Sequence, residues 1–138
     1  MNDLILLDTH VVLWTMLEPN KLSETVRQYI NIKQENKLLF LSSISLWEIA
    51  ILEHKKRINI NQPIKGFLQS VTNIKGLSIK NISAEIAAES SLLMNGFHND
   101  PADRLIVATA KCYNATLITR DQKILTWAKF GHIKSLKV

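Results

Sequence analysis

The sequence predicts an α/β domain in three layers, with a parallel sheet of about five strands between two layers of helices. Runs of consecutive large aliphatic residues, such as 4–7 and 38–41, are too short for helices and do not alternate with polar residues. Such runs are typical of strands buried on both faces. Longer segments with helical apolar spacing separate the runs, and strands that alternate with helices form parallel sheets with right-handed crossovers.

The first half of the chain predicts two strands and four helices. The strands are 4–7 and 38–41. The helical segments are one that contains 10–14 and ends before Glu18, one capped by Ser23, one that starts at Ile44, and 63–72. Serine is a favourable residue at the position just before a helix. Trp14 and Trp47 fall within these helical patterns, and we expect both side chains in the core.

The second half predicts three strands and three helices. The strands are 77–79, 116–119 and a basic edge strand at 133–138, and the helices are one capped by Ser83, one that begins at Pro101, and 122–128. Asp100 is the expected cap of the second helix, because proline is favourable at a first helical position. The segment 133–138 is too short and too basic for a central strand.

Composition limits the class of protein. The 138 residues are 46% hydrophobic, with three prolines and four glycines, so we expect one domain, 1–138, without a linker. No basic leader precedes the first apolar run, and no apolar stretch approaches the ~18 residues of a membrane span, so we expect neither signal peptide nor membrane insertion. The single cysteine excludes an intramolecular disulfide framework and fits a reducing cytosol. We therefore expect a cytoplasmic protein.

Two predicted strands end in a carboxylate. Asp8 follows the first strand, and Asp121 comes two residues after the strand 116–119. A charge at the end of a buried strand is costly unless it has a partner. In open α/β sheets, the carboxyl ends of the strands form the crevice in which ligands bind. We therefore expect both acids at one crevice.

Two further acids are candidates for the same crevice. Glu48 lies in a strongly apolar helical run, where an unpaired charge is costly, although an exposed helical glutamate is the common alternative. Asp103 lies in the first turn of the helix that begins at Pro101, where helix capping explains both Asp100 and Asp103 without a functional role. Capping does not explain Arg104 beside them at the start of a strongly apolar helix. We favour function for Asp103 and structure for Asp100.

Four carboxylates in one crevice repel one another and need cations. Oxygen ligands suit Mg²⁺ or Mn²⁺, which can activate water and neutralise charge on a phosphoryl group. The implied reaction is hydrolysis of a phosphodiester or phosphomonoester without a protein nucleophile. The sequence contains no zinc-ligand spacing, no glycine-rich phosphate loop and no nucleophile-elbow serine.

The segments LLDTHVVLW, SSISLWEIAI, NDPADRLIVATA and LITRDQKI resemble the four signature blocks of the PIN domain, and in particular those of VapC-like toxins of bacterial type II toxin–antitoxin pairs. The resemblance implies a three-layer PIN-like fold and an Mg²⁺- or Mn²⁺-dependent endoribonuclease. Such proteins usually dimerise and are held inactive by a cognate antitoxin. In this chain the resemblance implies the metal ligands Asp8, Glu48, Asp103 and Asp121, with Thr9, Asp100 and Thr119 in support.

The sequence is therefore interpreted as a nuclease that cleaves RNA with a metal-activated water. Its net charge, 17 − 12 = +5, suits a polyanionic partner. Two alternatives stay open, a phosphomonoesterase acting on small phosphates and a non-catalytic PIN-like module that binds RNA or protein. The basic residues expected to meet the RNA backbone, without reading its sequence, are Arg104, Arg120, Lys55, Lys56 and Arg57.

Overall fold

The computed structural model describes residues 3–93, 97–130 and 132–138 and confirms the predicted α/β architecture. In chain order, the elements are β1 (Ile5–Leu7), α1 (Thr9–Leu17), a 3₁₀ helix (Pro19–Lys21), α2 (Glu24–Glu35), β2 (Leu39–Ser42), α3 (Ser43–His54), α4 (Ile64–Thr72), β3 (Leu77–Lys80), α5 (Ala84–Ser91), α6 (Pro101–Cys112), β4 (Thr116–Thr119), α7 (Gln122–Ala128) and β5 (Lys134–Lys137). None of the helices within the described ranges is long and apolar enough to cross a membrane.

The five strands form one parallel sheet in the order β3-β2-β1-β4-β5. β1 is the central strand, and its Leu6 lies opposite Phe40 of β2 on one side and Leu117 of β4 on the other. β5 is an edge strand with mostly exposed residues, as its basic composition predicts. Because all pairs are parallel, the carboxyl ends of β1, β2 and β4 lie at the same edge of the sheet.

Successive residues of a strand point to opposite faces of the sheet, which produces a hydrophobic core on each face. Ile5 and Leu7 pack with buried residues of α1, α2, α3 and α4 in one cluster. Leu6 packs with Ile106 of α6 and Ile124 of α7 in the other. The molecule therefore has the three layers that the sequence predicts.

The predicted helix caps are confirmed. The side chains of Ser23, Ser83 and Asp100 each accept a hydrogen bond from the backbone N–H three residues later, at 3.2, 3.1 and 2.9 Å. Each cap satisfies a donor that would otherwise lack a partner at the helix start, a contribution of about 0.5–2 kcal/mol. The start of α6, which carries two of the acids, is thus fixed by its own sequence.

Two features of the first half of the chain differ from the sequence prediction. The first helix ends at Leu17, before Glu18 as predicted, but the chain then makes a 3₁₀ helix that the sequence did not predict. The prediction of Trp47 in the core is wrong, because its side chain is 56% exposed. α3 is apolar on nearly all sides, so its sequence pattern does not distinguish the buried face from the exposed one. Trp14 is half-buried and packs against the first core cluster.

Candidate metal centre

Asp8 and Asp121 occupy equivalent positions on neighbouring strands. Asp8 follows β1 and caps α1, with its Oδ1 accepting the Thr9 N–H at 2.8 Å. Asp121 follows β4 and caps α7, with its Oδ1 accepting the N–H groups of Lys123 and Ile124 at 2.8 and 3.0 Å. The positive end of a helix dipole favours a carboxylate at each place. Both acids therefore stand at the same edge of the sheet, as predicted.

Thr119 joins these two acids. Its hydroxyl donates a hydrogen bond to Oδ2 of Asp8 at 2.6 Å and accepts one from the backbone N–H of Asp121 at 3.0 Å. The Thr119 side chain is fully buried, and these two hydrogen bonds provide partners for its hydroxyl within the protein. Thr119 thus fixes Asp8 relative to the turn that carries Asp121.

Thr9 has the matching role toward Glu48. Its hydroxyl donates to Oε1 of Glu48 at 2.5 Å and lies 2.8 Å from the Ser45 hydroxyl. A threonine hydroxyl can donate only one hydrogen bond, and Thr9 donates it to Glu48. In the contact between the two hydroxyls, Ser45 is therefore the donor and Thr9 the acceptor. Glu48 lies in the second turn of α3 and is partly buried at the crevice. The two threonines that the resemblance places beside the site therefore each hold one acid.

Asp103 completes the group from the other side of the crevice. It lies in the first turn of α6, and its backbone N–H is capped by Asp100. The pKa of Asp103 is raised to about 8, chiefly by burial and then by the negative charges of Asp8, Asp100, Asp121 and Glu48, in that order of importance. Charges act on a pKa in this way only over short distances. The four predicted acids are thus gathered into one electrostatic group, with Asp100 beside them.

Asp8 and Glu48 also have raised pKa values. Burial is the largest cause for each, and the hydrogen bond from Thr119 to Asp8, or from Thr9 to Glu48, acts in the opposite direction. Without a cation the crevice therefore concentrates negative charge in a poorly solvated place. Among the residues that the structure describes, no three acid, histidine or cysteine side chains form a ready coordination sphere.

His98 belongs to this site and was not among the predicted site residues. Its Nδ1 accepts a hydrogen bond from the Asp100 N–H at 3.4 Å. Its buried Nε2 lies 3.2 Å from Oδ2 of Asp103, but it makes no hydrogen bond of good geometry to any described group. The ring stacks on Phe97 at 4.6 Å. The only sequence signal for it is its place at the start of the stretch 98–104. Ser45, also not predicted, lies three residues before Glu48 and hence on the same face of α3.

Arg104, one of the basic residues predicted to contact RNA, is hydrogen-bonded within the protein. Its guanidinium donates to the backbone carbonyls of Ser90, Phe97 and His98 at 3.0, 3.1 and 3.1 Å, and to that of Leu93 at 3.5 Å. Unpaired carbonyls at the end of α5 and in the segment before α6 explain why an arginine, with its five donors, stands here. The residue ties α5 to the start of α6.

Arg120 is likewise engaged with the protein, although it is exposed. It donates to the backbone carbonyls of Val138 and Lys21, both at 2.9 Å, and its guanidinium lies 4.3 Å above the Trp14 ring. These contacts join the end of β5 to the segment after α1. Arg120 therefore has a structural contact that its sequence position did not predict.

The remaining basic residues lie where α3 ends. Lys55, Lys56 and Arg57 are exposed, and the latter two line a groove of about 560 Å³ between α1 and α3. The groove also contains Lys21 and His10, and the nearby His10 lowers the pKa of Asp8. We call it the basic groove. Because His10 directly follows Thr9, the basic groove adjoins the acids.

A comparison with known sequences identifies the family of the chain. The family model described as the PIN domain matches residues 5–129. The chain is 35% identical over 120 residues to Ribonuclease VapC22 of Mycobacterium tuberculosis, an alignment that covers 87% of this chain and 88% of that protein.

Solved structures show the same fold. VapBC2 from Rickettsia felis, bound to a DNA fragment from its promoter, matches with a TM-score of 0.72 and 18% identity over 98% of both chains. DNA-bound VapBC from Salmonella typhimurium has a TM-score of 0.68 at 18% identity over 97% of both chains. FitAcB from Neisseria gonorrhoeae has a TM-score of 0.66 at 24% identity over 96% of both chains. With its sheet order, its acidic crevice and these matches, the chain belongs to the PIN domain family and to its VapC-like members.

Proposed function

We propose that this protein is a divalent-metal-dependent endoribonuclease and the toxin of a type II toxin–antitoxin pair. The observation that carries the proposal is the convergence of Asp8, Glu48, Asp103 and Asp121 in one crevice of a PIN domain chain. A related protein of similar length, 35% identical, is named a ribonuclease, and this supports RNA as the substrate class. The structural neighbours named VapBC support an antitoxin partner.

The four acids fit Mg²⁺ or Mn²⁺. All the donor atoms are carboxylate oxygens, which hard divalent ions prefer. The pKa values of Asp8, Glu48 and Asp103 are raised because these acids are buried and repel one another. A cation at the crevice would offset both effects. These residues and Asp121 would hold one or two ions. When bound, such an ion neutralises charge on the scissile phosphate and lowers the pKa of water.

The chain itself positions these acids. The Thr119 hydroxyl and the Thr9 N–H donate to the two oxygens of Asp8, and the Thr9 hydroxyl donates to Oε1 of Glu48, so the orientation of both carboxylates is fixed. Partners of metal ligands commonly set ligand orientation and affinity in this way. Asp121 is fixed by two backbone N–H groups of α7. The caps therefore set where the acids stand before any substrate arrives.

The basic groove supplies the contact with the RNA backbone. Lys56 and Arg57 carry charges that complement phosphates, whereas Lys21 is paired with Glu18 at 3.1 Å. His10 lies where the groove meets the acids. Contacts of this type fix the position of a nucleic acid and carry no sequence information. The relative named a ribonuclease favours RNA over a small phosphate ester. The retained set of four acids argues against a non-catalytic module.

We further propose that the protein acts in the cytoplasm as a homodimer inhibited by its cognate antitoxin. Trp47, on α3 one residue before Glu48, offers a large exposed aromatic surface for a protein partner. Tryptophan is enriched among the residues that dominate the energy of protein interfaces.

Expression of the protein in a bacterium tests the proposal. Induction of the wild-type chain is expected to arrest growth and to create new RNA 5′ ends, whereas Asp103→Asn is expected to do neither. The exposed Glu35→Gln, which removes one acid from α2, serves as the matched control and should behave as wild type. The proposal fails if the wild-type chain leaves growth and RNA unchanged, or if Asp103→Asn produces the same new ends.

A further inference from the structure

We propose that a second groove beside the metal centre binds a base of the RNA next to the scissile phosphate. This groove lies between the segment 97–98 and α7 and has a volume of about 350 Å³. Its walls are Phe97, His98, Trp127 and Phe130, and we call it the aromatic groove. The inference rests on the proposed nuclease function and assigns a second part of the same substrate.

Three of the four wall rings contact one another in series. The His98 ring stacks on Phe97 with centroids 4.6 Å apart, and Phe97 meets Trp127 edge-on at 4.9 Å. Trp127 in turn stacks on His132 at 4.3 Å. Aromatic side chains are the usual platform on which single-stranded bases stack, because every base has a π-face.

Phe130 is the most exposed ring of the groove, and its ring contact within the fold is with His132, at 6.4 Å. Its side chain is 74% exposed and belongs to neither core cluster, whereas Trp127 and Phe97 are buried in the second one. Burial of such a side chain in a complex removes a large apolar area from water. An exposed ring beside buried rings therefore provides a surface that a planar ligand can cover.

The aromatic groove adjoins the acidic crevice. His98 belongs to both, since its ring lines the groove while its Nε2 lies 3.2 Å from Oδ2 of Asp103. Gln122 and Lys123 line the groove and directly follow Asp121, whose Oδ1 accepts the Lys123 N–H. A nucleotide whose phosphate lies at the acids would thus have the groove within reach of its own or its neighbour's base.

The polar rim fits a nucleic acid better than an acidic or apolar peptide. Lys123 brings a positive charge to the rim, and the Gln122 amide offers both a donor and an acceptor to the edge of a base. None of the described residues that line the groove is acidic. The volume falls in the range of about 300–1,000 Å³ that is usual for small-molecule sites. One nucleobase is the occupant that matches the rings, the rim and the position.

Binding of short oligonucleotides tests the assignment. Fluorescein-labelled tetranucleotides A4, C4, G4 and U4 are titrated with the protein in Mg²⁺, and Asp8→Asn is present in every variant so that the probe is not cleaved. Phe130→Ala is expected to weaken binding of the probes by roughly 5- to 100-fold, the usual effect of losing one stacking platform. Phe130→Tyr, which keeps the ring, should stay within about twofold of the parent. Ile32→Ala, at another exposed apolar residue, on α2, is the matched control and should have no effect.

A series of A4 probes with one abasic sugar separates base contact from phosphate contact. At one position, removal of the base should weaken binding to the parent, and the same probe should no longer respond to Phe130→Ala. The assignment is overturned if Phe130→Ala binds all four probes as tightly as the parent. It is equally overturned if Phe130→Ala leaves probe affinity unchanged and dissociates a dimer in sedimentation, which would make this face an interface between two copies.

The same experiment separates this inference from the proposed function. If the unmodified chain cleaves RNA while Phe130→Ala has no effect on probe binding, the base-binding groove is wrong and the nuclease proposal stands. If Phe130→Ala weakens probe binding while the unmodified chain never cleaves RNA in Mg²⁺, the groove stands as an RNA-binding site and the nuclease proposal is wrong.

Discussion

Asp103 shows how a single residue adapts to its surroundings at this site. Its carboxyl has a pKa raised to about 8 because it is buried beside Asp8, Asp100, Asp121 and Glu48. The folded chain therefore holds the proton more tightly than the unfolded chain, in which an aspartic acid has a pKa of about 3.9. By linkage, the contribution of this group to stability falls as the pH rises from about 4 to about 8 in the metal-free protein.

Asp103→Asn removes this penalty. In EDTA at pH 7.5 we expect the variant to be more stable than the wild type by about 1 kcal/mol or more, roughly 3–5 °C in Tm for a domain of this size. The difference should shrink as the pH falls toward 4, where the wild-type carboxyl is protonated as well. Thermal unfolding monitored by circular dichroism between pH 4.5 and 8 measures the effect.

Glu35→Gln is the control for the pH series, since this exposed acid lies on α2, outside the crevice. Its unfolding curve should follow the wild type at every pH. A curve for Asp103→Asn that runs parallel to the wild type, without a gain at pH 7.5, would contradict the buried-acid interpretation.

Thr119 acts on the metal centre through Asp8. Thr119→Val keeps the shape of this buried side chain but removes the donor to Oδ2 of Asp8. We expect apparent affinity for Mg²⁺ or Mn²⁺ to fall by about 10- to 100-fold, as is usual when a partner of a metal ligand is lost. Calorimetric titration with Mn²⁺ measures it. Thr119→Ser, which keeps the hydroxyl, should keep most of the metal affinity. If Thr119→Val binds the metal as tightly as the wild type, Thr119 does not position Asp8 for metal binding.

At the scale of the elements, the junction between α5 and α6 depends on Arg104. Its guanidinium satisfies carbonyls on both sides of the segment that precedes Asp103. Lysine has one ammonium in place of the planar fork and cannot serve several carbonyls at once. Arg104→Lys should therefore destabilise the fold by about 1–3 kcal/mol, as the loss of hydrogen bonds from a charged group does.

The same variant distinguishes the structural role from an RNA contact. Because Arg104 positions the start of α6, we expect Arg104→Lys to lower the cleavage rate at saturating RNA and to leave the salt dependence of RNA binding unchanged. Single-turnover kinetics at several salt concentrations separate the two effects. A normal Tm combined with weaker, less salt-dependent RNA binding would restore the original prediction.

The sequence was informative about these elements wherever a local rule decides the structure. The strand that ends at Asp8 and the caps at Ser23, Ser83 and Asp100 were predictable, because burial and backbone donors constrain them within a few residues. The exposure of Trp47 was not predictable. α3 is apolar nearly all round, so only the elements that pack against it decide which of its faces is buried. Arg104 and Arg120 contact residues up to 99 positions away in the chain. A local sequence pattern cannot indicate contacts at that separation.

At the scale of the whole molecule, the sheet order creates the site. β1 lies between β2 and β4, so Asp8 stands between the helix that carries Glu48 and the turn that carries Asp121. The predicted gathering of the acids followed from parallel pairing alone, because every strand then ends at the same edge. The place of His98 could not be predicted in this way, because it lies in a segment without regular structure. Its neighbours depend on how α5, α6 and α7 pack.

The basic groove adds a long-range charge effect. The double variant Lys56→Ala with Arg57→Ala should weaken RNA binding for all sequences and reduce the slope of log affinity against log salt by about 1–2. Fluorescence anisotropy with a single-stranded RNA at several salt concentrations measures the slope. The control is Lys75→Ala with Lys134→Ala, which removes the same charge near the amino ends of β3 and β5, at the opposite edge of the sheet. An equal loss of slope in both double variants would show that net charge, not the groove, binds RNA.

The central claim is that the four acids bind the cation on which RNA cleavage depends. Its most direct test is the single-turnover cleavage rate of one RNA by the purified chain as Mg²⁺ or Mn²⁺ is added after EDTA treatment. We predict no cleavage in EDTA, recovery that saturates with added metal, and at least about a hundredfold lower rate for Asp8→Asn at the saturating metal concentration. Cleavage that persists in EDTA, or an Asp8→Asn variant as fast as the wild type, would contradict the claim.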